Sequence, residues 1–234
     1  MKPSIFRRVF VLFVVGIPGL AAAGLSGQQV QAADSQLSSR VAISAGMGVE
    51  YLSVPDVVDF INALVAPYAV QRIPQFKSAV QFFGAVAYPL SQDWVLKAEY
   101  LYMLASYSPE VGVSSDFTLT AHMPSVIVQY VLWDEGLYDL KAGAGVGYHV
   151  ATLADRFLTI NDKLTGSGLG VVADLEGNTA FGDHLFAYLG GDVRWEFIGT
   201  MKNSSSGSQT SGVIAVPTGN GFGIGARLGL SYYF

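Results

Sequence analysis

The chain has 234 residues, 51% of them hydrophobic and only 13% charged, and carries a formal net charge of −5. It contains no cysteine, which excludes disulfide cross-links and the lipid-bearing cysteine of a lipoprotein, and its acidic balance argues against electrostatic binding of nucleic acid. Beyond the N-terminal region no uninterrupted apolar stretch is long enough for a membrane-spanning helix, so the hydrophobic residues must be delivered in another pattern.

Residues 1–32 read as a secretory signal peptide that is cleaved. Lys2, Arg7 and Arg8 precede the apolar run from Val9 to Ile17, and a small-residue region ends at Val30-Gln31-Ala32, which puts cleavage after Ala32. The rival reading is a membrane-anchoring helix. Pro18 and Gly19 oppose it, because they interrupt a run already short of the roughly 20 apolar residues that spanning needs. Removal takes away three basic residues and no acidic one, leaving 10 basic against 18 acidic residues.

After an N-terminal tail at 33–39, residues 40–234 divide into eight alternating segments. They are expected as strands β1 at 40–53, β2 at 75–90, β3 at 93–107, β4 at 116–133, β5 at 137–153, β6 at 168–181, β7 at 185–201 and β8 at 221–234. A side-chain period of two gives each segment an apolar and a polar face. Ile43, Ala45, Met47 and Val49 of β1, Tyr138, Leu140, Ala142 and Ala144 of β5, and Ile224, Ala226, Leu228 and Leu230 of β8 are typical of the apolar rows.

The connections alternate as well. Gln92, Asp134-Glu135-Gly136 and Gly182-Asp183-His184 make short turns, whereas 54–74, 108–115, 154–167 and 202–220 are long. Together these patterns define an all-β fold: an eight-stranded antiparallel transmembrane up-and-down β-barrel whose short turns face the periplasm. With odd-numbered strands running outward, Tyr88, Trp94, Tyr130, Tyr138, Phe181, Tyr232 and Phe234 gather at the periplasmic rim. Tyr51, Phe76, Phe117, Tyr148, Trp195, Phe197 and Phe222 gather at the other, so two aromatic girdles are expected.

Strand β4 breaks phase. Phe117, Leu119, Ala121 and Met123 form its first apolar set and Val126, Val128, Tyr130 and Leu132 its second, so a β-bulge is expected at Pro124 to turn both toward lipid. In the first long loop, Val57, Phe60, Ile61 and Leu64 share one stripe of a short amphipathic helix within 55–65. That face could close the barrel mouth, rest on the outer leaflet or form a lid for a hydrophobic solute, with packing on the barrel's own rim as the default. The last loop, rich in serine and glycine, is expected to be mobile and exposed. A ten-stranded barrel would follow if 68–73 paired with a segment of that loop.

The inward rows carry both signs of charge. Glu50 lies in β1, Lys77 in β2, Lys97 and Glu99 in β3, and His122 in β4; β5 adds Asp139, Lys141 and His149. Asp174 and Glu176 lie in β6, Asp192, Arg194 and Glu196 in β7, and Arg227 in β8. An eight-stranded barrel is wide enough only for its own side chains, so these residues are expected to neutralise one another in a polar lumen network. Antiparallel counting sets Asp174 opposite Asp192, with Arg194 a diagonal step away and Arg227 beyond it, a salt-bridge cluster rather than a catalytic acid and base.

The same counting brings His122, His149 and Glu99 near one another, a set from which a metal site or pH switch could be built. Membership of the polar network is the preferred reading, and neither a metal nor a cofactor is expected. His122 and Ser125 have a spacing suggestive of nucleophilic catalysis, but no third partner is visible; no residue is assigned as catalytic and no enzyme is expected. The runs Gly143-Ala144-Gly145-Val146-Gly147 and Gly166-Ser167-Gly168-Leu169-Gly170 are not nucleotide loops, since neither precedes a helix in a βαβ unit. Pointing inward, Gly143, Gly145 and Gly147 would make room for Phe186 and Tyr188.

Three features carry a resemblance: the signal peptide, the strand Met123-Pro124-Ser125-Val126-Ile127-Val128-Gln129-Tyr130 with the glycine-alternating Lys141 to Tyr148 after it, and the terminal Tyr232-Tyr233-Phe234. Over nearly all of 40–234 the chain resembles the small bacterial outer-membrane β-barrel superfamily of the OmpA-barrel, OmpX and OmpW kind. The resemblance implies an integral outer-membrane location among outer-membrane lipid, and for Phe234 the role of an assembly signal read by the barrel-assembly machinery. Absence of a domain after Phe234 departs from full-length OmpA, so peptidoglycan anchoring is not expected, and the residues do not match a lipid A deacylase motif. The function expected is envelope-structural or surface interaction through four long extracellular loops around a plugged lumen, the extracellular partner being unknown. The alternative is a narrow channel for small or hydrophobic solutes gated by loop 54–74. If the signal peptide is cleaved as expected, the intact mass of protein extracted from the envelope corresponds to a chain starting at Ala33; retention of residues 1–32 would refute it.

Overall fold

A backbone in hydrocarbon has no water to bond, so a membrane-crossing sheet has to close on itself. The computed structural model, which describes residues 37–66, 78–107, 115–157, 160–203 and 217–234, has that closure. A short 3-10 turn, Leu37–Ser39, leads into β1 (Ala42–Ser53), which is followed by α1 (Pro55–Val65). Then come β2 (Ala79–Pro89), β3 (Trp94–Tyr107), β4 (Ser115–Asp134), β5 (Tyr138–Phe157), β6 (Ile160–Ala180), β7 (Leu185–Ile198) and β8 (Gly221–Tyr233). Each strand pairs antiparallel with its neighbour in sequence, and β8 pairs with β1 from Ala42↔Tyr233 to Ser53↔Phe222, closing an eight-stranded barrel. Among the described residues the last loop adds the pair Lys202–Asn203 beside Leu164 and Thr165 of β6 and a single antiparallel bridge from Thr218 to Thr200. Residues 68–73, needed for a ten-stranded barrel, lie outside the described residues.

The apolar rows face outward as alternation requires. Met47, Val49, Val126, Val146, Leu169, Leu189 and Leu228 are all exposed on the outer wall. Both girdles form: Tyr88, Trp94, Tyr130, Tyr138, Phe181, Tyr232 and Phe234 are exposed at one end, and Tyr51, Tyr148, Trp195 and Phe197 at the other. About ten residues of β5 separate Tyr138 from Tyr148, which at ordinary strand rise and tilt is roughly 25 Å, the height of an outer-membrane apolar band. Phe76 lies outside the described residues. Phe117 does not join the upper girdle and is fully buried inside.

Phe117 belongs to a larger correction. No bulge occurs at Pro124: pairing with β3 runs unshifted through Tyr100↔Pro124, and the register with β5 is the same at His122↔Val150 and Ser125↔Gly147. Phe117, Leu119, Ala121 and Met123 therefore all point inward, while Thr118, Thr120 and His122 point out. The physical reason is a change of solvent along the strand: β4 continues above the apolar band into water, where the outer face is polar and the inner face apolar. A register shift does occur lower down, between Val131 and Trp133, and it leaves both Leu132 and Trp133 exposed near the periplasmic rim.

A second correction concerns the expected loop 154–167. β5 and β6 stay paired out to Phe157↔Ile160, so the described residues of this stretch are strand rather than loop. Strands β4 to β6 thus rise as a wall about 20 Å above Tyr148.

Helix α1 leans on the concave side of that wall. Pro55 starts it without an unmet N–H, Asp56 suits the positive end of the helix dipole, and a hydrogen bond from the Thr218 hydroxyl to Asp56 ties it to the segment before β8. Its buried residues Val57, Val58, Phe60, Ile61 and Val65 join Leu101, Met103, Phe117, Leu119, Leu153 and Leu164 in one apolar cluster. At the opposite end Leu37, Ala42, Val95, Phe186 and Tyr233 form a smaller cluster. Truncating Ile61, which has no exposed surface, is expected to cost about 2–5 kcal/mol. Urea unfolding of Ile61→Ala in lipid vesicles checks this, and an unchanged midpoint would mean that the helix rests elsewhere.

Candidate functional site

Between the two apolar clusters the inward rows carry charge. A buried ion costs several kcal/mol unless it is paired and hydrogen-bonded, so the partners decide what this layer is. Lys97 contacts three carboxylates: Asp174 in a short charge-assisted bond, Glu176 at 2.8 Å and Glu99 at 3.5 Å. Glu99 in turn accepts from Arg194 at 2.5 Å and Arg227 at 2.6 Å. Asp192 accepts from Arg194 Nε at 2.6 Å and lies 3.1 Å from Arg227 Nε.

The layer continues downward through Lys141, which meets Asp139 at 3.0 Å, Glu176 at 3.3 Å and the Tyr233 hydroxyl at 3.1 Å. Tyr233 donates to Asp139 at 2.6 Å, and Asn178, Ser231 and Ser44 extend the chain of hydrogen bonds to β1. One connected network therefore crosses the lumen. Below it lies the N-terminal turn: the backbone N–H groups of Leu37 and Ser38 donate to Asp134, and Leu37 packs among Phe186 and Tyr233.

Eleven of the candidate residues, Glu50, Lys97, Glu99, Asp139, Lys141, His149, Asp174, Glu176, Asp192, Arg194 and Arg227, lie buried in the interior. Glu196 is there too, slightly more exposed. Asp174 does face Asp192 across β6 and β7, but its cation is Lys97 rather than an arginine. Glu50 rests over Gly223, where any side chain would strike its carboxylate. Lys77 lies outside the described residues.

His122 is a correction. Its parity follows the unbroken register of β4, so it sits on the outer wall, hydrogen-bonded through Nδ1 to Tyr100 Oη at 2.6 Å, and cannot join His149 or Glu99. The expected grouping of His122, His149 and Glu99 is thereby dissolved. Instead His149 Nε2 lies 3.1 Å from Ser125 Oγ, and its Nδ1 is hydrogen-bonded to Glu196.

This arrangement has the connectivity of a serine–histidine–acid relay, and sequence reasoning missed it because the three residues lie on three strands. Ser125 and His149 are nevertheless buried, beneath Met123 and Ala151 of the upper apolar cluster. Inward glycines are also used differently from expectation. Gly147 and Gly170 clear space for the His149 ring, Gly143 for Gln129 and Asp174, and Gly145 for Ile127; none of them faces Phe186 or Tyr188. The same device accommodates Glu50 and Gln81, so cleared space marks the whole layer rather than the histidine alone.

An outer wall that is apolar between two aromatic girdles, a closed antiparallel sheet and charges kept to the inside define an integral outer-membrane β-barrel. The solved structure of Neisserial surface protein A has this fold, with 13% sequence identity, coverage of 83% of this chain and 97% of that one, and a TM-score of 0.51. Also similar are Ail of Yersinia pestis in complex with the heparin analogue sucrose octasulfate, at 11% identity, 83% and 99% coverage and TM-score 0.48, and OprG of Pseudomonas aeruginosa, at 13%, 84% and 96%, and 0.47. No protein-family model and no curated protein matches the chain in sequence.

Glu99 joins Lys97, Arg194 and Arg227, so its removal leaves the two buried guanidinium groups to share the single carboxylate of Asp192. Glu99→Ala is expected to destabilise the barrel by about 3–5 kcal/mol, read from urea unfolding in vesicles by tryptophan fluorescence. A loss below about 1 kcal/mol, the scale of an exposed pair, would show that water reaches the layer.

Proposed function

We propose that this protein is a barrel with a plugged lumen whose role is envelope-structural or surface interaction, exercised at its extracellular end and without catalytic activity. The observation that carries this reading is the stack inside the barrel: the N-terminal turn, the ionic network and the α1 cluster follow one another along the axis and leave the polar layer buried. An eight-stranded barrel has little room to spare once such side chains are in place. The asymmetric rim supports the surface role, because β4 to β6 present a wall beyond the membrane. In the same proposal residues 1–32 direct export, Phe234 serves as the signal for the assembly machinery, and Ser125, His149 and Glu196 complete the polar interior.

A second reading has one observation in its favour. Helix α1 is a separate element that contributes one side of the upper apolar cluster, so its displacement would open a narrow path for small or hydrophobic solutes as far as the ionic layer. Planar-bilayer recording separates the two. The plugged barrel is expected to give no discrete conductance steps, and stable steps in the wild type would refute it. Absence of steps in both the wild type and a Glu99→Ala, Arg194→Ala variant would refute the channel.

A further inference from the structure

The short turn Leu37–Ser39 pairs with no strand, yet it is fixed inside the periplasmic mouth. Leu37 is buried in one apolar cluster with Ala42 of β1, Ala87 of β2, Val95 of β3, Phe186 of β7 and Tyr233 of β8. Polar groups hold the turn as well. The N–H groups of Leu37 and Ser38 donate to the two carboxylate oxygens of Asp134 at 3.1 and 2.7 Å, and the Ser38 hydroxyl donates to the Gln92 carbonyl at 3.2 Å. The Arg40 N–H then bonds the Leu37 carbonyl at 3.0 Å and bends the chain back toward β1. Backbone donors on a carboxylate make charge-assisted bonds, roughly twice as strong as neutral ones.

Asp134 owes its direction to the irregularity at the end of β4. The inward positions of that strand are odd-numbered, Phe117 to Gln129, so unbroken alternation would turn residue 134 outward. The register shift between Val131 and Trp133 inserts one residue and reverses the parity, so Asp134 pairs with the inward Asp139 and its carboxylate reaches the turn. Re-aiming a side chain at a barrel rim is a use to which β-bulges are put.

The two attachments lie on opposite sides of the ring. In eight strands closed by the β1–β8 pair, the β4–β5 pair is diametrically opposite that seam. Residues 37–40 run on through Val41 into β1 at the seam and are bonded to Asp134 of β4 across the mouth. At the seam Phe234 donates its N–H to the Val41 carbonyl at 3.0 Å, and Tyr233 shares the Leu37 cluster with its ring edge-on to Phe186, centroids 4.7 Å apart. Pulling β8 away from β1 therefore strips Tyr233 from Leu37. The cluster also includes Ala42 and Tyr233, which face each other across the seam, so it is complete only once the sheet has closed.

We propose that residues 37–40 are a cross-brace of the periplasmic mouth, anchored on Asp134, that seats after the barrel closes and holds the β1–β8 seam shut. The brace sets how often the seam opens. It acts on the sheet and is independent of whether the lumen conducts.

The test uses the mature protein refolded in lipid vesicles. Amide hydrogen exchange is followed by mass spectrometry on peptides of the seam, 42–47 and 228–234, with 142–148 and 169–175 of the β5–β6 pair as reference. Leu37→Ala removes the apolar contact of the brace and leaves every strand unaltered. It is expected to speed exchange at the seam about tenfold or more with the reference unchanged, and to raise the unfolding rate in urea while the folding rate stays within about twofold of wild type. Asp134→Asn keeps the size of the anchor and removes its charge, and is expected to act in the same direction by a smaller factor. Exchange equal to wild type in both variants overturns the proposal. Equal acceleration of seam and reference also overturns it, since the turn would then add only to global stability. A Leu37→Ala chain that fails to fold, or that folds more slowly with an unchanged unfolding rate, overturns it as well, because the turn would then be needed to form the barrel rather than to keep it closed.

Discussion

Closure of the sheet is the constraint on which everything else depends. In the hydrocarbon region each backbone N–H and C=O must find its partner within the protein, and the β1–β8 ladder supplies the last set. Eight strands also set a narrow bore. The inward rows therefore face one another across a small space, and the charges they carry have to pair among themselves.

Two solvents then decide what each face becomes. Within the membrane the wall is apolar outside and the ionic layer lies inside; above Tyr148 the arrangement reverses, with threonines outside and Phe117, Leu119, Ala121 and Met123 inside. The reversed half is built like a soluble sheet and needs a second apolar layer. Helix α1 supplies it on the concave side, and its Val57 and Ile61 are fully buried there. The hydrophobic upper core is a consequence of strand length exceeding the membrane thickness.

Periodicity made most of this legible before any coordinates. The outer rows of β1, β2, β3, β5, β6, β7 and β8, the short turns and both girdles apart from Phe117 and the undescribed Phe76 follow from parity and direction. The errors share a cause. The phase change in β4 implies a bulge only if one solvent surrounds the whole strand, and under that condition Phe117 would face outward and His122 inward. The pairing of β5 and β6 beyond residue 153 has little sequence signal, because alternation is weak where the strands leave the membrane. The Ser125–His149–Glu196 contacts join residues on β4, β5 and β7, and their separation in sequence holds no signal of their meeting.

By itself the sequence determined the class of the protein: alternation of period two, alternating loop lengths and the absence of long apolar helices admit few folds other than a membrane barrel. Turn lengths then largely settled the register, which is why Asp174 could be set opposite Asp192 in advance. Tertiary structure alone decided which cation each carboxylate holds, where α1 lies and where the membrane ends on the wall. Those outcomes depend on barrel stagger and on the polarity of the surroundings, which are properties of the closed assembly rather than of any one strand.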